Sequence, residues 1–356
     1  MSWSDRADAT LDGLRALDRH RTVRSLDGGG PRFCLDGREV VSFASNDYLG
    51  LSQHPAVRAA AADAVQRYGT GTGAARLVVG GRPLHDELEA ELAAWKHAED
   101  ALLFPTGFAA NLGVLTTFGT DAVTIVSDER NHASIIDGCR LAKARTVVQP
   151  HGALPADLDD HTIVVTDTVF SMDGDIADVE ALSARCAESG ALLVLDEAHA
   201  VLGPEVAPAC ESLHVGTLSK TLGSLGGFVA GPRPLIDVLR NRARSFIFTT
   251  ASTPADTAAA LAALRVLRSD EGDALVARLR TLADRVRPGH PSPIIPIVLG
   301  ADDAALAASA ALLERGLLVP AIRPPTVAPG TARLRVTLCA AHTDDDVDRL
   351  LDALPA

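Results

Sequence analysis

Lysine is scarce in this sequence: Lys96, Lys143 and Lys220 are the only ones among 33 basic residues, the rest being arginine. Aromatic residues make up only 4% of the chain, and the five cysteines (Cys34, Cys139, Cys186, Cys210, Cys339) contain no Cys-x-x-Cys pair. An odd, unpatterned set gives neither a disulfide framework nor a zinc site, and it reads as reduced thiols in a cytoplasmic protein. Basic charge is not in excess either. A formal net charge of −13 argues against a nucleic-acid surface, which needs a basic patch. Apolar runs are short or broken by Gly and Asp, so no membrane span is expected. The opening Met1-Ser2-Trp3-Ser4-Asp5-Arg6 lacks a basic segment followed by an apolar one, so no signal peptide is expected.

What is present is core-forming material: 47% of 356 residues are hydrophobic, enough for two domains with one dominant. Residues 1–24 read as a charged helix, and Gly28-Gly29-Gly30-Pro31 as a turn into a hairpin ending near Phe43. Between about 55 and 245, apolar β-like runs alternate with alanine-rich helical stretches. The runs are 101–104, 123–126, 146–148, 162–166, 191–195, 213–216 and 227–230. Near-continuous apolar strands separated by helices predict an α/β fold, its mainly parallel sheet covered on both faces. A helix from Pro254 to about Leu267 follows, then a smaller α+β region with strands at 294–299 and 332–338 and a last helix from Thr343.

Polar motifs fall where such a sheet places its chemistry, at the carboxyl ends of the strands. Leu192-Leu193-Val194-Leu195 runs into Asp196-Glu197-Ala198-His199; a carboxylate buried there needs a cation to meet it. Lys220, in a hydroxyl-rich turn one strand–helix–strand unit downstream, supplies the one function arginine cannot take over, an amine nucleophile. Together the three meet the needs of pyridoxal 5′-phosphate (PLP): an amine for its aldehyde, a carboxylate for its ring nitrogen, an imidazole for its ring oxygen. The strand–turn–helix at Phe104-Pro105-Thr106-Gly107-Phe108 offers backbone N–H groups to a phosphate, with Thr217, Ser219, Thr249 and Thr250 as hydroxyl donors. His132, also just after a strand, is placed to stack on the ring. The glycine-rich Gly69–Gly73 segment follows a helix and fits neither a dinucleotide fingerprint nor a P-loop.

Ser45-Asn46-Asp47-Tyr48-Leu49-Gly50, the 106–111 turn, Phe170-Ser171-Met172-Asp173-Gly174-Asp175, Asp196–His199 and Thr217–Lys220 together resemble the α-oxoamine synthases over nearly the whole chain. These are fold-type-I PLP enzymes that condense an amino acid with an acyl thioester and lose CO2. The resemblance implies an arm over 1–45, a large PLP-binding domain over 46–255, and a small α+β domain over 256–356 packed with the arm. The segment from Ala321 to Leu338, with Met1–Trp3 and Leu264–Gly272, is most similar to the member that joins L-alanine to a pimeloyl thioester in biotin biosynthesis. A glycine-using relative such as 2-amino-3-ketobutyrate CoA ligase is the alternative.

Carried over, the resemblance makes Lys220 the cofactor-bearing lysine and the base for the α-proton. It puts Asp196 on the ring nitrogen, His199 and Ser171 on the ring oxygen, His132 on the ring face, and Gly107, Phe108 and Thr217 on the phosphate. Thr249 or Thr250 would reach the phosphate from the other chain of a homodimer. Asn46 and Arg335 would hold the alanine carboxylate, Thr326 would lie in the substrate site, and Arg21, in preference to Arg19, would meet the distal acyl carboxylate. Both CoA and acyl carrier protein stay open as acyl carriers. Three features depart from the pattern: Asp167-Thr168 stands for the usual Glu-Gly, Phe248 for a common tyrosine, and the connections near 145–162 and 280–293 are short.

Overall fold

The computed structural model describes residues 1–203 and 207–355. Three short strands follow an N-terminal helix: β1 (Asp27–Gly29), β2 (Arg32–Leu35) and β3 (Arg38–Ser42). The central strands are β4 (Asp100–Phe104), β5 (Thr124–Asp128), β6 (Arg145–Gln149), β7 (Thr162–Asp167), β8 (Leu192–Asp196), β9 (Ser212–Thr217) and β10 (Gly227–Gly231). The C-terminal part adds β11 (Ile294–Gly300), β12 (Leu317–Leu318), β13 (Ala321–Ile322) and β14 (Ala332–Thr337).

The central sheet has the order β4-β10-β9-β8-β7-β5-β6. It is parallel except for β10, which runs antiparallel to both of its neighbours. The expected strands are all present, and their apolar character has the expected cause. In β8, Val194 packs into a cluster with helices Gly107–Phe118 and Arg233–Arg242. Leu193 and Leu195 point the other way, toward helix Val179–Ser189. Alternate residues thus meet apolar helices on opposite faces, so the interior of this strand is apolar throughout. Polar residues mark where the strands run out: β5, β7 and β8 each end in aspartate (Asp128, Asp167, Asp196), and β9 ends in Thr217, while the buried His214 within β9 is paired with Glu197.

The helix Pro254–Leu267 has the expected limits, set by the Thr253 cap, whose hydroxyl accepts from Asp256 N at 3.1 Å, and by proline at its first position. Two expectations need correction. The N-terminal helix covers Trp3–Ala16, not 1–24. It buries no residue, so nothing extends it past the point where Asp18 takes a left-handed φ of 51° and Arg19 N bonds back to Leu14 O at 2.8 Å. Gly28 and Gly29 lie in β1 rather than in the turn, paired with Phe33 and Arg32 of β2. The N-terminal strands join the C-terminal part through β12, which pairs parallel to β3, while β11, β14 and β13 form a third sheet.

Candidate active site

The turn after β9 carries Lys220, and its amine lies 2.9 Å from His199 Nε2. His199 sits three residues beyond the end of β8, is buried, and meets the Tyr48 hydroxyl through Nδ1. With the lysine donating to Nε2, the proton of the neutral ring is on Nδ1 and points to the phenol, which reaches Asn46 Oδ1 at 3.3 Å. Burial, with Lys220 and Arg335 nearby, holds the imidazole well below the usual histidine range, so it remains neutral. Burial likewise lowers Lys220, against the pull of Asp196 and Asp167, which raises the share of free amine.

Asp196 is buried at the end of β8. Its Oδ2 accepts from Asn111 Nδ2 at 2.6 Å, and its Oδ1 accepts from Ala198 N at 2.9 Å. The Asn111 amide also donates to Ser134 Oγ, which is 2.8 Å from His132 Nδ1. His132 caps helix Ala133–Leu141, its side chain accepting from Ser134 N; the ring stands exposed at the cleft, as a stacking partner must. Asp167, adjacent to Asp196 in the β7–β8 register, is where the chain departs from the family's glutamate. Its carboxylate nonetheless anchors the next loop, because Oδ2 accepts from His132 N at 2.7 Å.

The phosphate cradle is the start of helix Gly107–Phe118, capped by Thr106 Oγ1 accepting from Ala109 N at 3.0 Å. The N–H groups of Gly107 and Phe108 belong to the unbonded first turn. The fit of backbone is tight here, and at 227 only glycine is accommodated. A Cβ on Gly107 would come 3.2 Å from Thr217 Cβ, and one on Gly227 would run into the backbone of Thr106 and Gly107. Thr217 Oγ1 lies beside this turn, 2.7 Å from Ser219 Oγ.

Arg335 enters from β14 and is buried. It donates through Nε to Ser171 O at 2.6 Å, through Nη1 to Thr337 Oγ1 at 2.9 Å and through Nη2 to Asn46 Oδ1 at 3.2 Å. Every one of these acceptors is neutral. The bond that Ser171 makes is thus through its carbonyl to Arg335.

The structure brings Lys220, His199, Asp196, His132, Gly107, Phe108, Thr217, Ser171, Asn46 and Arg335 to one side of the sheet's carboxyl edge. It does not bring the remaining expected residues there within this one chain. Thr249 and Thr250 border a small recess with Arg76, His85 and Pro105. Arg21 is exposed in the coil after the first helix, whereas Arg19 is half-buried, and Thr326 is exposed in the 323–326 turn. Sequence reasoning gave no role to Asn111 or Tyr48. The signal for Asn111 was available: it is a lone amide on a buried stretch with Ala110, Val114 and Leu115.

The residues fit PLP. Asp196, Lys220 and Arg335 are charged groups within one buried site, yet each hydrogen-bonds only neutral partners among the described residues. A carboxylate awaiting a cation, an amine with a depressed pKa and a guanidinium awaiting an anion match a ring nitrogen, an aldehyde and a substrate carboxylate.

The aminotransferase class I and II family profile matches residues 38–354. The 8-amino-7-oxononanoate synthase of Anaeromyxobacter dehalogenans is 48% identical, covering 96% of this chain and 94% of its own length. That of Burkholderia lata is 46% identical over 99% and 96%. The solved serine palmitoyltransferase of Sphingomonas wittichii superposes with a TM-score of 0.90 at 30% identity, over 99% of this chain and 97% of that one. The backbone match reports the shared fold, while side chains select substrates, so the higher identity decides between the two names. The chain belongs to the aminotransferase class I and II family and, within that PLP-dependent fold, to the 8-amino-7-oxononanoate synthases.

Proposed function

We propose that the protein condenses L-alanine with a pimeloyl thioester, carried on CoA or acyl carrier protein, to give 8-amino-7-oxononanoate, CO2 and the free thiol in biotin biosynthesis. The observation that carries this reading is the buried Arg335 with only neutral partners among the described residues, beside Lys220 and Asn46. Bound PLP supplies the electron sink for the charge left at the amino-acid α-carbon. Lys220 removes the α-proton, helped by a pKa already depressed by burial. His199, held by Tyr48 through Nδ1, would accept at Nε2 the hydrogen bond of the cofactor's phenolic ring oxygen. Arg335 and Asn46 orient the alanine carboxylate, and Arg21 meets the distal carboxylate of the acyl chain.

The working unit is a homodimer in the cytoplasm. Thr249 and Thr250 reach the partner's phosphate site. Exposed Val78, Val79 and Phe248, at 73%, 70% and 70%, support burial of that face by a second copy. Five free cysteines suit a reducing compartment.

A product assay with alanine, glycine and serine against pimeloyl, acetyl, succinyl and palmitoyl thioesters tests the reading. Alanine with pimeloyl should give the highest kcat/KM; a clear preference for glycine or for another acyl chain overturns it. Arg335→Lys should raise the alanine KM by roughly 10- to 100-fold with a smaller change in kcat, because a point charge replaces a bidentate fork. Steady-state kinetics at varied alanine check this, and an unchanged KM removes Arg335 from the carboxylate site.

A further inference from the structure

The turn Ser171–Asp175 seats Arg335, and it is pinned from several sides. Its first residue gives the carbonyl that accepts from Arg335 Nε at 2.6 Å. Asp173 pairs with Arg333, two residues before Arg335 on the same face of β14, and lies 3.5 Å from Arg130 Nη1. Gly174 has a φ of 70° and abuts β11 so closely that a Cβ would strike Ile294 O. At the far end, Asp175 Oδ2 is 2.6 Å from His151 Nε2. His151 Nδ1 lies 3.1 Å from both carboxylate oxygens of Asp128, which ends β5. The imidazole also stands edge-on to Phe170, with ring centroids 4.5 Å apart. None of these His151 contacts takes part in the chemistry at Lys220.

A neutral imidazole carries one N–H, so between two carboxylates it would leave one nitrogen lone pair facing an oxygen lone pair. Only the imidazolium donates to both. We propose that His151 is a positioning residue: it ties Asp175 to Asp128 and so fixes the Ser171–Asp175 turn that holds Arg335 ready for the amino-acid carboxylate. The inference rests on the role given to Arg335 above.

Partial burial alone would lower the His151 pKa, but the hydrogen bonds to Asp175 and Asp128 outweigh it and hold the ring above the ordinary histidine value. The surrounding charge favours the same state. Asp128, Glu129 and Arg130 approach from the end of β5, Asp173 and Asp175 from the turn, and Asp178 from the start of the next helix. His290, from the loop before β11, also faces Asp175; burial lowers its pKa, so it competes little as a cation. A raised folded-state pKa means that the tie is complete below the unfolded histidine pKa of about 6.5. It is lost as pH rises through the higher folded value.

The test uses His151→Gln in the holoenzyme, with alanine KM and kcat measured across pH. Amide exchange is followed without alanine at Gly174 and Phe170, whose N–H groups bond Phe170 O at 2.8 Å and Asp175 O at 2.9 Å. The wild type should show an alanine KM that rises about tenfold through the His151 titration, kcat changing little. His151→Gln should have the higher KM throughout, without that step, and at least roughly tenfold faster exchange at the two amides. Asp175→Ala, which removes the acceptor from the turn's side, should match it and decides the question if the first variant does not fold. Wild-type exchange and an unaltered pH profile overturn the proposal. Faster exchange with an unchanged alanine KM keeps the tie but overturns the role of Arg335 on which the proposal rests.

Discussion

Lys220→Ala abolishes turnover, with a loss of at least about 10³–10⁴-fold, the upper range for removing one general base, because the covalent hold on the cofactor goes with it. Neither of the other lysines can take over. Lys96 is engaged with Glu197 Oε2 at 2.6 Å and lies over the Trp95 ring, and Lys143 is exposed just after helix Ala133–Leu141. The Glu197 carboxylate shows how firmly Lys96 is held: burial would raise its pKa, yet Lys96 and His214 bring it down to about 2. The variant should still bind PLP, more weakly, since Asp196 and the Gly107 helix start are untouched. Borohydride reduction followed by peptide mapping checks the assignment. In the wild type the cofactor mass is fixed to the peptide containing Lys220, and in the variant to none. Label on Lys96 or Lys143 refutes it.

Strand positions in this chain were legible because burial on both faces leaves an unbroken apolar run, and the aspartates and threonine at the strand ends mark where the sheet stops. Lys220, Asp196 and His199 were legible for the related reason that costly residues at such ends need a purpose. The bonds among them were not. Arg335 and Asn46 meet across 289 residues and Tyr48 and His199 across 151, and no local pattern encodes such a pairing. The reversed direction of β10 is equally silent in its sequence, since an apolar strand buried on two faces reads the same either way. The N-terminal helix was over-extended because the continuation to 24 keeps the same charged, arginine-rich character, whereas Asp18, His20, Thr22 and Val23 are poor helix formers and Asp18 turns left-handed. Asp167 is the instructive departure. One methylene shorter than glutamate, it still reaches His132 N, because β7 delivers it directly beside Asp196.

That proximity sharpens the second large effect, expected for Asp196→Asn. Burial and the neighbouring Asp196 push Asp167 well above the usual carboxylate range, so Asp167 takes a proton more readily than an ordinary aspartate. Removing the charge at 196 leaves the cationic form of the ring nitrogen without its buried counter-ion. Breaking such a pair costs about 3–5 kcal/mol, or roughly 10²–10⁴-fold in turnover. The fold should survive. Asn111 Oδ1 is buried with no partner among the described residues, so a flip of that amide lets it accept from the new amide, while the Ser134 hydroxyl turns to donate. The melting temperature should therefore stay close to the wild-type value while kcat collapses, and Lys220 should still take the cofactor covalently under borohydride. Because Asp167 no longer faces a charge at 196, its own pKa should fall, which carbon-detected NMR of the labelled carboxyl can follow across pH. A variant that keeps PLP bound and turns over at near wild-type rate would remove Asp196 from the ring nitrogen and make its carboxylate merely the cap of the turn that follows β8, through the Ala198 N bond of 2.9 Å.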